Sequence, residues 1–273
     1  MTVEREGLRD WHRLFGLLLT DFFSGSPFEI ERDLSVQQQL LDVVIVRRGR
    51  GRFAGRLSDG LEELRRHNLL TFKSHHETLD AWAMKELTGL DVAYRKFVSP
   101  SPSDLLPDDY FGLYAVCARF PHNLSGQVPW QRVQAGVYDC RWGTETIRVV
   151  VAGELPREPH NAPLHLFSAT PELVGFGQST YRRRSERTSY LLRQLFERFR
   201  QEGFTMTYTM EDFMRDFVKS HFAQLTPEEQ QEALQAMPLE TRLAGLSPEQ
   251  IQQYLDRLTA GKSPQPRKPR RRK

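Results

Sequence analysis

Two apolar stretches decide the fold of this chain: LDVVIV at residues 41–46 and NLLTFK at residues 68–73. Each is a short, nearly continuous apolar run, which is typical of a strand covered on both faces. Asp42 lies at the entry of the first stretch, and Lys73 ends the second. Because side chains alternate along a strand, Thr71 and Lys73 are expected on one face. If the two strands are neighbours, an acid and a lysine lie close together in the sheet.

The sequence around these strands predicts further helices and strands. Apolar residues at helical spacing predict helices, and alternation or short apolar runs bounded by turn residues predict strands. The predicted helices cover residues 7–23, 78–97, 161–176, 186–199 and 210–222. The other predicted strands cover residues 28–34, 113–120, 133–142 and 146–151, and the last two form a hairpin through Gly143.

The end of the chain contains two helix-start signatures, TPEE at residues 226–229 and SPEQ at residues 247–250. Each has a capping hydroxyl, a proline in the first helical position, and Glu or Gln three residues after the cap. They predict helices over residues 228–236 and 249–258. Two such short helices cannot enclose a core of their own. We expect them to pack on the main body or on a second copy of the chain, which would be a homodimer.

The composition favours a folded, soluble protein and excludes several classes. The chain has 273 residues, of which 39% are hydrophobic and 27% charged, so a packed core is expected. No apolar run reaches the roughly 20 residues that span a bilayer, and residues 1–10 are charged and lack the short apolar core expected of a signal peptide. Cys117 and Cys140 occur in apolar surroundings, which predicts two buried thiols in a reducing cytoplasm. No Cys/His spacing suggests a zinc site.

Positive charge is concentrated in three segments. Seven of the 38 basic residues fall within residues 262–273, and the remaining 31 face 35 acidic ones. This proline-interrupted tail is expected to be disordered, serving either non-specific phosphate binding or solubility. A glycine-rich loop carries Arg47, Arg48 and Arg50, and a second segment carries Arg182, Arg183 and Arg184. Both segments could contact a DNA backbone. The glycine-rich loop could equally be a solvated connection. The second segment could be a solvated helix start, but positive charge at a helix N-terminus is unfavourable for the helix dipole, which favours a functional role.

An acid and a lysine in adjacent strands are typical of magnesium-dependent phosphodiester hydrolysis. Mg²⁺ prefers oxygen ligands and retains several waters, so one or two carboxylates and a substrate phosphate hold it. The metal lowers the pKa of a bound water and stabilises charge on the phosphate. A lysine nearby can orient the attacking water. Thr71, on the same face as Lys73, occupies the position where a second acidic ligand is expected.

In this pattern the chain resembles the PD-(D/E)XK nuclease superfamily, in particular the bacterial recombination-promoting nuclease and putative transposase group. The resemblance covers residues 8–120: a helix, a short strand, the Asp42 strand, a loop, the strand ending at Lys73, and a long helix. It extends to the capped segments near the C-terminus. Asp42 matches the motif aspartate and Lys73 the motif lysine. Leu41 replaces the motif proline, and Thr71 replaces the second acid.

The resemblance implies an α/β restriction-endonuclease-like core, a mixed central sheet flanked by helices, with a C-terminal helical extension. The expected domains are a core over residues 1–155, a helical region packed on it over residues 156–224, a small helical appendage over residues 225–260 and the disordered tail over residues 261–273. The implied function is a cytoplasmic DNA endonuclease that uses Mg²⁺ or Mn²⁺.

The substitution at Thr71 leaves two hypotheses. In the first, another carboxylate serves as the second metal ligand, with Glu77 best placed and Glu31 in reserve. Asp42 and Glu77 then bind the metal, and Lys73 positions the water. In the second, catalysis is lost and the fold persists as a DNA-binding or assembly module.

Overall fold

The computed structural model describes residues 2–31, 43–182, 184, 194–195, 197–199, 222, 226–235, 247, 249–253 and 256. The chain divides into two compact units, Met1–Met210 and Glu211–Lys273. No helix in these described ranges is both long and apolar enough to cross a membrane.

The first unit is an α/β structure built on one seven-stranded mixed sheet. Its helices are α1 (Thr2–Phe22), α2 (Ala81–Val98), α3 (His122–Ser125), α4 (Ala162–His165) and α5 (Pro171–Thr180). Its strands are β1 (Phe28–Glu31), β2 (Val43–Arg47), β3 (His67–Lys73), β4 (Phe111–Cys117), β5 (Trp130–Gln134), β6 (Val137–Trp142) and β7 (Glu145–Val151). The strand order is β1-β2-β3-β4-β7-β6-β5.

The sheet combines antiparallel edges with a parallel centre. β1, β2 and β3 are antiparallel neighbours, while β3, β4 and β7 run parallel to one another. β6 and β5 then continue the sheet in antiparallel pairs. The crossover from β3 to β4 passes through α2, as parallel neighbours require. The carboxyl ends of β3, β4 and β7 therefore lie side by side along one edge of the sheet, an edge formed by strand ends and not by an outermost strand.

Apolar side chains cover both faces of the sheet. One core joins the apolar stripe of α1 to β2, β3 and the α4–α5 region, with Phe15 stacked on Phe72 at 4.3 Å. The other core joins α2 to the opposite face, where Leu87 packs with Leu69 and Leu113. The central strands are consequently buried on both sides, as their continuous apolar sequence predicts.

Several element boundaries differ from the sequence predictions. The helix expected from residue 78 begins at Ala81, because Asp80 caps it by accepting a hydrogen bond from the backbone N–H of Ala83. The single helix expected over residues 161–176 is two short helices, α4 and α5, and Pro171 begins the second. The strand expected over residues 133–142 is split into β5 and β6, which meet near Gly136, where φ is +72°.

The hairpin through Gly143 is confirmed: it connects β6 to β7 with φ of +62°. In the second unit, α6 (Pro227–Gln235) begins with the predicted capping box, in which the Glu229 carboxylate accepts from the backbone N–H of Thr226 at 2.8 Å. At the start of helical residues 249–253, the Gln250 side-chain oxygen accepts the corresponding hydrogen bond from the backbone N–H of Ser247 at 2.9 Å. The predicted helices over residues 186–199 and 210–222 fall largely outside the described residues, as does the basic tail.

Candidate active site

Lys73 ends β3 at the edge of the sheet where the parallel strands terminate. It is paired with Cys117, the last residue of β4, and its carbonyl accepts a hydrogen bond from the N–H of Ala118 at 3.1 Å. In open α/β sheets, ligands bind outside the carboxyl ends of the parallel strands. The position of Lys73 is therefore one that this architecture commonly uses for chemistry.

The beginning of β2 borders the same end of β3. Val43, the first residue of β2, is paired with Leu70. Asp42, the predicted metal ligand, precedes Val43 in the sequence and lies outside the described residues. Glu31, the reserve ligand, ends β1 opposite Val44, and its side chain also lies outside the description.

Glu77 lies in the turn that connects β3 to α2, four residues before the helix rather than within it. Its backbone N–H donates to the carbonyl of Ser74 at 3.0 Å, which closes the turn. Its Oε2 accepts from the Ser74 hydroxyl at 3.0 Å and from the Ser74 N–H at 3.3 Å. His12 of α1 donates to the same oxygen through Nε2 at 2.7 Å. The Glu77 carboxylate is thus fixed by two separate parts of the chain.

The second oxygen of Glu77 faces Lys73. The Lys73 Nζ lies 3.7 Å from Glu77 Oε1, and the two side chains are 13% and 17% exposed. Burial acts to raise the pKa of Glu77, but the His12 hydrogen bond, the charges of His12 and Lys73, and the Ser74 N–H together hold it below its ordinary value. Glu77 is therefore a carboxylate at neutral pH, as a metal ligand or a partner of an ammonium group must be.

Thr71 does not add an acidic group to this edge. It is 5% exposed, and it lies beside Ala115 in the parallel pairing of β3 with β4. Across the part of the chain that the structure describes, no group of three or more His, Cys, Asp or Glu residues is arranged to hold a metal ion. The metal site that the sequence predicts would need Asp42 as a ligand beside Glu77.

His12 was not identified from the sequence as a site residue. It occupies α1, and nothing in the spacing of the sequence connects residue 12 with residue 77. The same helix places Trp11 edge-to-face against His75 at 5.2 Å, and His75 contacts the ring of His76 at 3.9 Å. Contacts between a helix and a distant turn depend on tertiary packing, so single-sequence periodicity does not reveal them.

The arginines of the glycine-rich loop make local contacts at the outer edge of the sheet. Arg47 donates to the carbonyl of Gly51 at 3.3 Å and lies over the ring of Phe28 at 5.8 Å. Arg48 forms an ion pair with Glu29 at 2.7 Å. All three predicted arginines of this loop, including Arg50, are exposed. They remain accessible to a polyanion, although two of them also have structural contacts.

The second predicted basic segment is partly tied to the body of the protein. Arg182 donates to the carbonyl of Ser179 at 2.9 Å. The guanidinium of Arg184 lies over Phe53 at 4.4 Å and over Phe22 at 5.2 Å. Arg183 lies outside the described residues. The side chain of Arg184 therefore packs on aromatic rings, a structural use that its sequence context did not indicate.

A separate buried polar cluster, which the sequence did not reveal, joins residues 56–59 to residues 160–161. Asn161 donates to Asp59 Oδ2 at 2.8 Å and accepts from the Asp59 N–H at 2.9 Å. His160 and Arg56 each lie 2.9 Å from Asp59 Oδ1. Burial acts to raise the pKa of Asp59, but these partners outweigh it and lower the pKa. These contacts join two segments that are about 100 residues apart in the sequence, so the cluster is a structural clasp.

Comparison of the chain with protein-family models, with curated proteins and with solved structures found no match.

Proposed function

We propose that this protein is a Mg²⁺-dependent DNA endonuclease whose reaction centre lies at the carboxyl end of β3. The single observation that carries the proposal is the Lys73–Glu77 pair, an ammonium and an ionised carboxylate held together at that edge. The order α1, β1, β2, β3, α2 supports the proposal, because it is the order expected from the resemblance to PD-(D/E)XK nucleases.

The metal would be held by Asp42 and by Oε1 of Glu77. Oε2 already accepts hydrogen bonds from Ser74 and His12, whereas Oε1 has Lys73 as its neighbour. When bound, Mg²⁺ supplies a water of lowered pKa and stabilises charge on the phosphate. Carboxylate oxygens with an ionised Glu77 suit Mg²⁺ or Mn²⁺, which prefer hard oxygen ligands.

Lys73 would position the attacking water and balance charge on the phosphate. The water oxygen attacks phosphorus, its proton passes to solvent, the bond from phosphorus to the leaving oxygen breaks, and that oxygen takes up a proton. The role of His12 is to hold Glu77, and through it Lys73, in this geometry.

Cleavage of supercoiled plasmid by the purified chain in Mg²⁺ or Mn²⁺ tests the proposal. We expect nicking by the wild type and a loss of about 100- to 1,000-fold for Asp42→Asn, the size of effect seen when one charge-stabilising group is removed from an active site. The control is Asp104→Asn, an exposed acid in the connection after α2.

A different outcome would favour a second function. The substitution of the second acid by Thr71 is the observation that favours a nuclease fold retained as a DNA-binding module. If the wild type fails to cleave in either metal but binds DNA with strong salt dependence, the module is the correct description.

A further inference from the structure

A cluster of aromatic side chains lies on the sheet near the carboxyl end of β4, at the margin of the core that α2 covers. The cluster consists of Phe120, His122, Trp130 and Tyr138. Phe120 is its centre: its ring lies 5.0 Å from His122, 5.6 Å from Trp130 and 5.1 Å from Tyr138. The rings of Trp130 and Tyr138 are 5.9 Å apart. Phe120, Trp130 and Tyr138 are partly exposed and His122 is exposed, so the cluster is open to solvent.

The aromatic cluster is close in the chain to the candidate active site. Phe120 follows Ala118 by two residues, and the Ala118 N–H binds the carbonyl of Lys73. Tyr138 is paired with Val149 of β7, and Trp130 with Cys140 of β6, on the face that α2 shares. β4 and β7 separate β3 from β6 in the sheet, so the path from Lys73 to Tyr138 crosses about 14 Å at the usual strand spacing.

Positive charge accompanies the aromatic rings. Arg119 and Arg132 are both exposed, and within the described part of the chain neither has a carboxylate partner. The acid in contact with the cluster is Glu154, which accepts the hydroxyl proton of Tyr138 at 2.6 Å. Exposed rings flanked by arginines are the surface on which unpaired bases stack while their phosphates are neutralised.

The indole N–H of Trp130 is not satisfied by a hydrogen bond in the part of the structure that is described. Its Nε1–H is buried and has no hydrogen-bond partner within the described residues. A buried donor without an acceptor is unfavourable by about 1–3 kcal/mol. Turning the ring outward would expose its face for stacking and return the N–H to water or to an acceptor on the ligand, at the cost of the contacts that Trp130 makes with the core beneath it.

We propose that the aromatic cluster binds single-stranded DNA by stacking unpaired bases on Trp130 and Tyr138, with Arg119 and Arg132 binding the flanking phosphates. The proposal extends the proposed nuclease function and rests on it for one point, that the bound DNA would run from the aromatic cluster toward Lys73. It assigns the enzyme a substrate with an unpaired region beside the cleavage site. A paired duplex cannot stack on these rings, because its bases are already stacked inside the helix.

Binding without metal separates this proposal from catalysis. Fluorescence anisotropy in EDTA would follow a labelled thymidine oligonucleotide of about 15 nucleotides, a length suited to such grooves, and a duplex of equal length. We expect the wild type to prefer the single strand. Trp130→Leu should weaken single-strand binding by about 5- to 100-fold, corresponding to the loss of one stacked base. The matched control is Trp82→Leu, which removes an exposed tryptophan of α2, outside the aromatic cluster.

Additional variants keep the test decisive if Trp130→Leu does not fold. Trp130→Phe retains an aromatic face and should retain most of the binding, whereas Arg132→Gln should weaken it and reduce its salt dependence. Equal affinities for Trp130→Leu and Trp82→Leu, or equal binding of duplex and single strand by the wild type, would overturn the proposal. Plasmid cleavage that survives in Trp130→Leu with unchanged oligonucleotide binding would refute the aromatic site alone. If the wild type never cleaves plasmid but binds the single strand, and Trp130→Leu loses that binding, the nuclease proposal alone is refuted.

Discussion

Glu77 shows how a single side chain can stabilise the fold and prepare a site for chemistry. Its Oε2 accepts three hydrogen bonds that connect the β3–α2 turn with α1, while Oε1 faces Lys73. The sequence identified Glu77 only by its distance from Lys73 along the chain. It did not identify His12, because the contact between residues 12 and 77 exists only after α1 packs on the sheet.

The pH dependence of stability should report the state of Glu77. Because folding lowers its pKa below the ordinary value of 4.5, its contribution is complete above pH 4.5 and is lost as the pH falls through the folded pKa. We expect Glu77→Gln to reduce the free energy of unfolding by about 2 kcal/mol at neutral pH, the usual contribution of hydrogen bonds to a charged group. Urea titrations at several pH values should show this difference shrinking below pH 4.5.

Glu86→Gln is the control for that experiment, because it changes an exposed carboxylate on α2 whose partner is the exposed Trp82. Its effect on stability should be small at every pH. A difference between wild type and Glu77→Gln that stays constant from neutral to acid pH would contradict the assignment of an ionised Glu77 to the folded state.

Asn161 is the central residue of the structural clasp. It is fully buried and exchanges hydrogen bonds with Asp59 in both directions. Asn161→Ala should lower the free energy of unfolding by about 3 kcal/mol, because it leaves Asp59 Oδ2 and the buried N–H of Asp59 without their partner, although His160 and Arg56 still contact Oδ1. Thermal or urea unfolding measures the loss. Asn123→Ala, at an exposed position in α3, should change stability little, and equal effects of the two substitutions would refute the clasp.

Among the elements, the central strands were predicted well and the shorter elements less well. β2 and β3 have continuous apolar sequences that their two-sided burial explains, so their positions followed from the sequence. The prediction of a single helix over residues 161–176 was wrong, because the apolar pattern continues through the break before Pro171. At that break, tertiary packing determines the backbone conformation, and periodicity does not reveal it. The contact between the rings of Trp130 and Tyr138 depends on the register of β5 and β6, in which Trp130 is paired with Cys140, and no local sequence pattern provides that register.

Gly60, in the loop between β2 and β3, lies at a position that has no room for a larger side chain. It has φ of +89°, and a Cβ there would lie 2.5 Å from Val150 Cγ2 and 3.3 Å from both methyl groups of Val137. Gly60→Ala should therefore destabilise the fold by about 2–4 kcal/mol, since backbone strain and overpacking act together. Gly143→Ala provides the matched control.

Gly143 has φ of +62° but open space around it, so its substitution should show strain alone, about 1–2 kcal/mol. The comparison is made by urea unfolding of both variants. If Gly60→Ala is no more destabilising than Gly143→Ala, the loop between β2 and β3 is not packed against β6 and β7 at Gly60 in the way the structure shows.

At the scale of the whole molecule, the sheet positions the parts of the proposed site near the carboxyl ends of its parallel strands. β3 contributes Lys73, the following turn contributes Glu77, and β4 leads to the aromatic cluster through Phe120. The sequence predicted an α/β fold and the edge carrying Lys73, because those depend on hydrophobic pattern. It could not predict the full strand order, which places β7 beside β4 and leaves β5 at the outer edge. The second unit contains the two capped helix starts that local sequence predicted.

The most direct test of the account is nicking of supercoiled plasmid in Mg²⁺ by the wild type, by Lys73→Ala and by Lys85→Ala, which removes an exposed lysine of α2. We predict nicking by the wild type and by Lys85→Ala at similar rates. We expect a loss of about 100- to 1,000-fold for Lys73→Ala, with DNA binding retained. Equal nicking by Lys73→Ala and the wild type would contradict a reaction centre at the carboxyl end of β3.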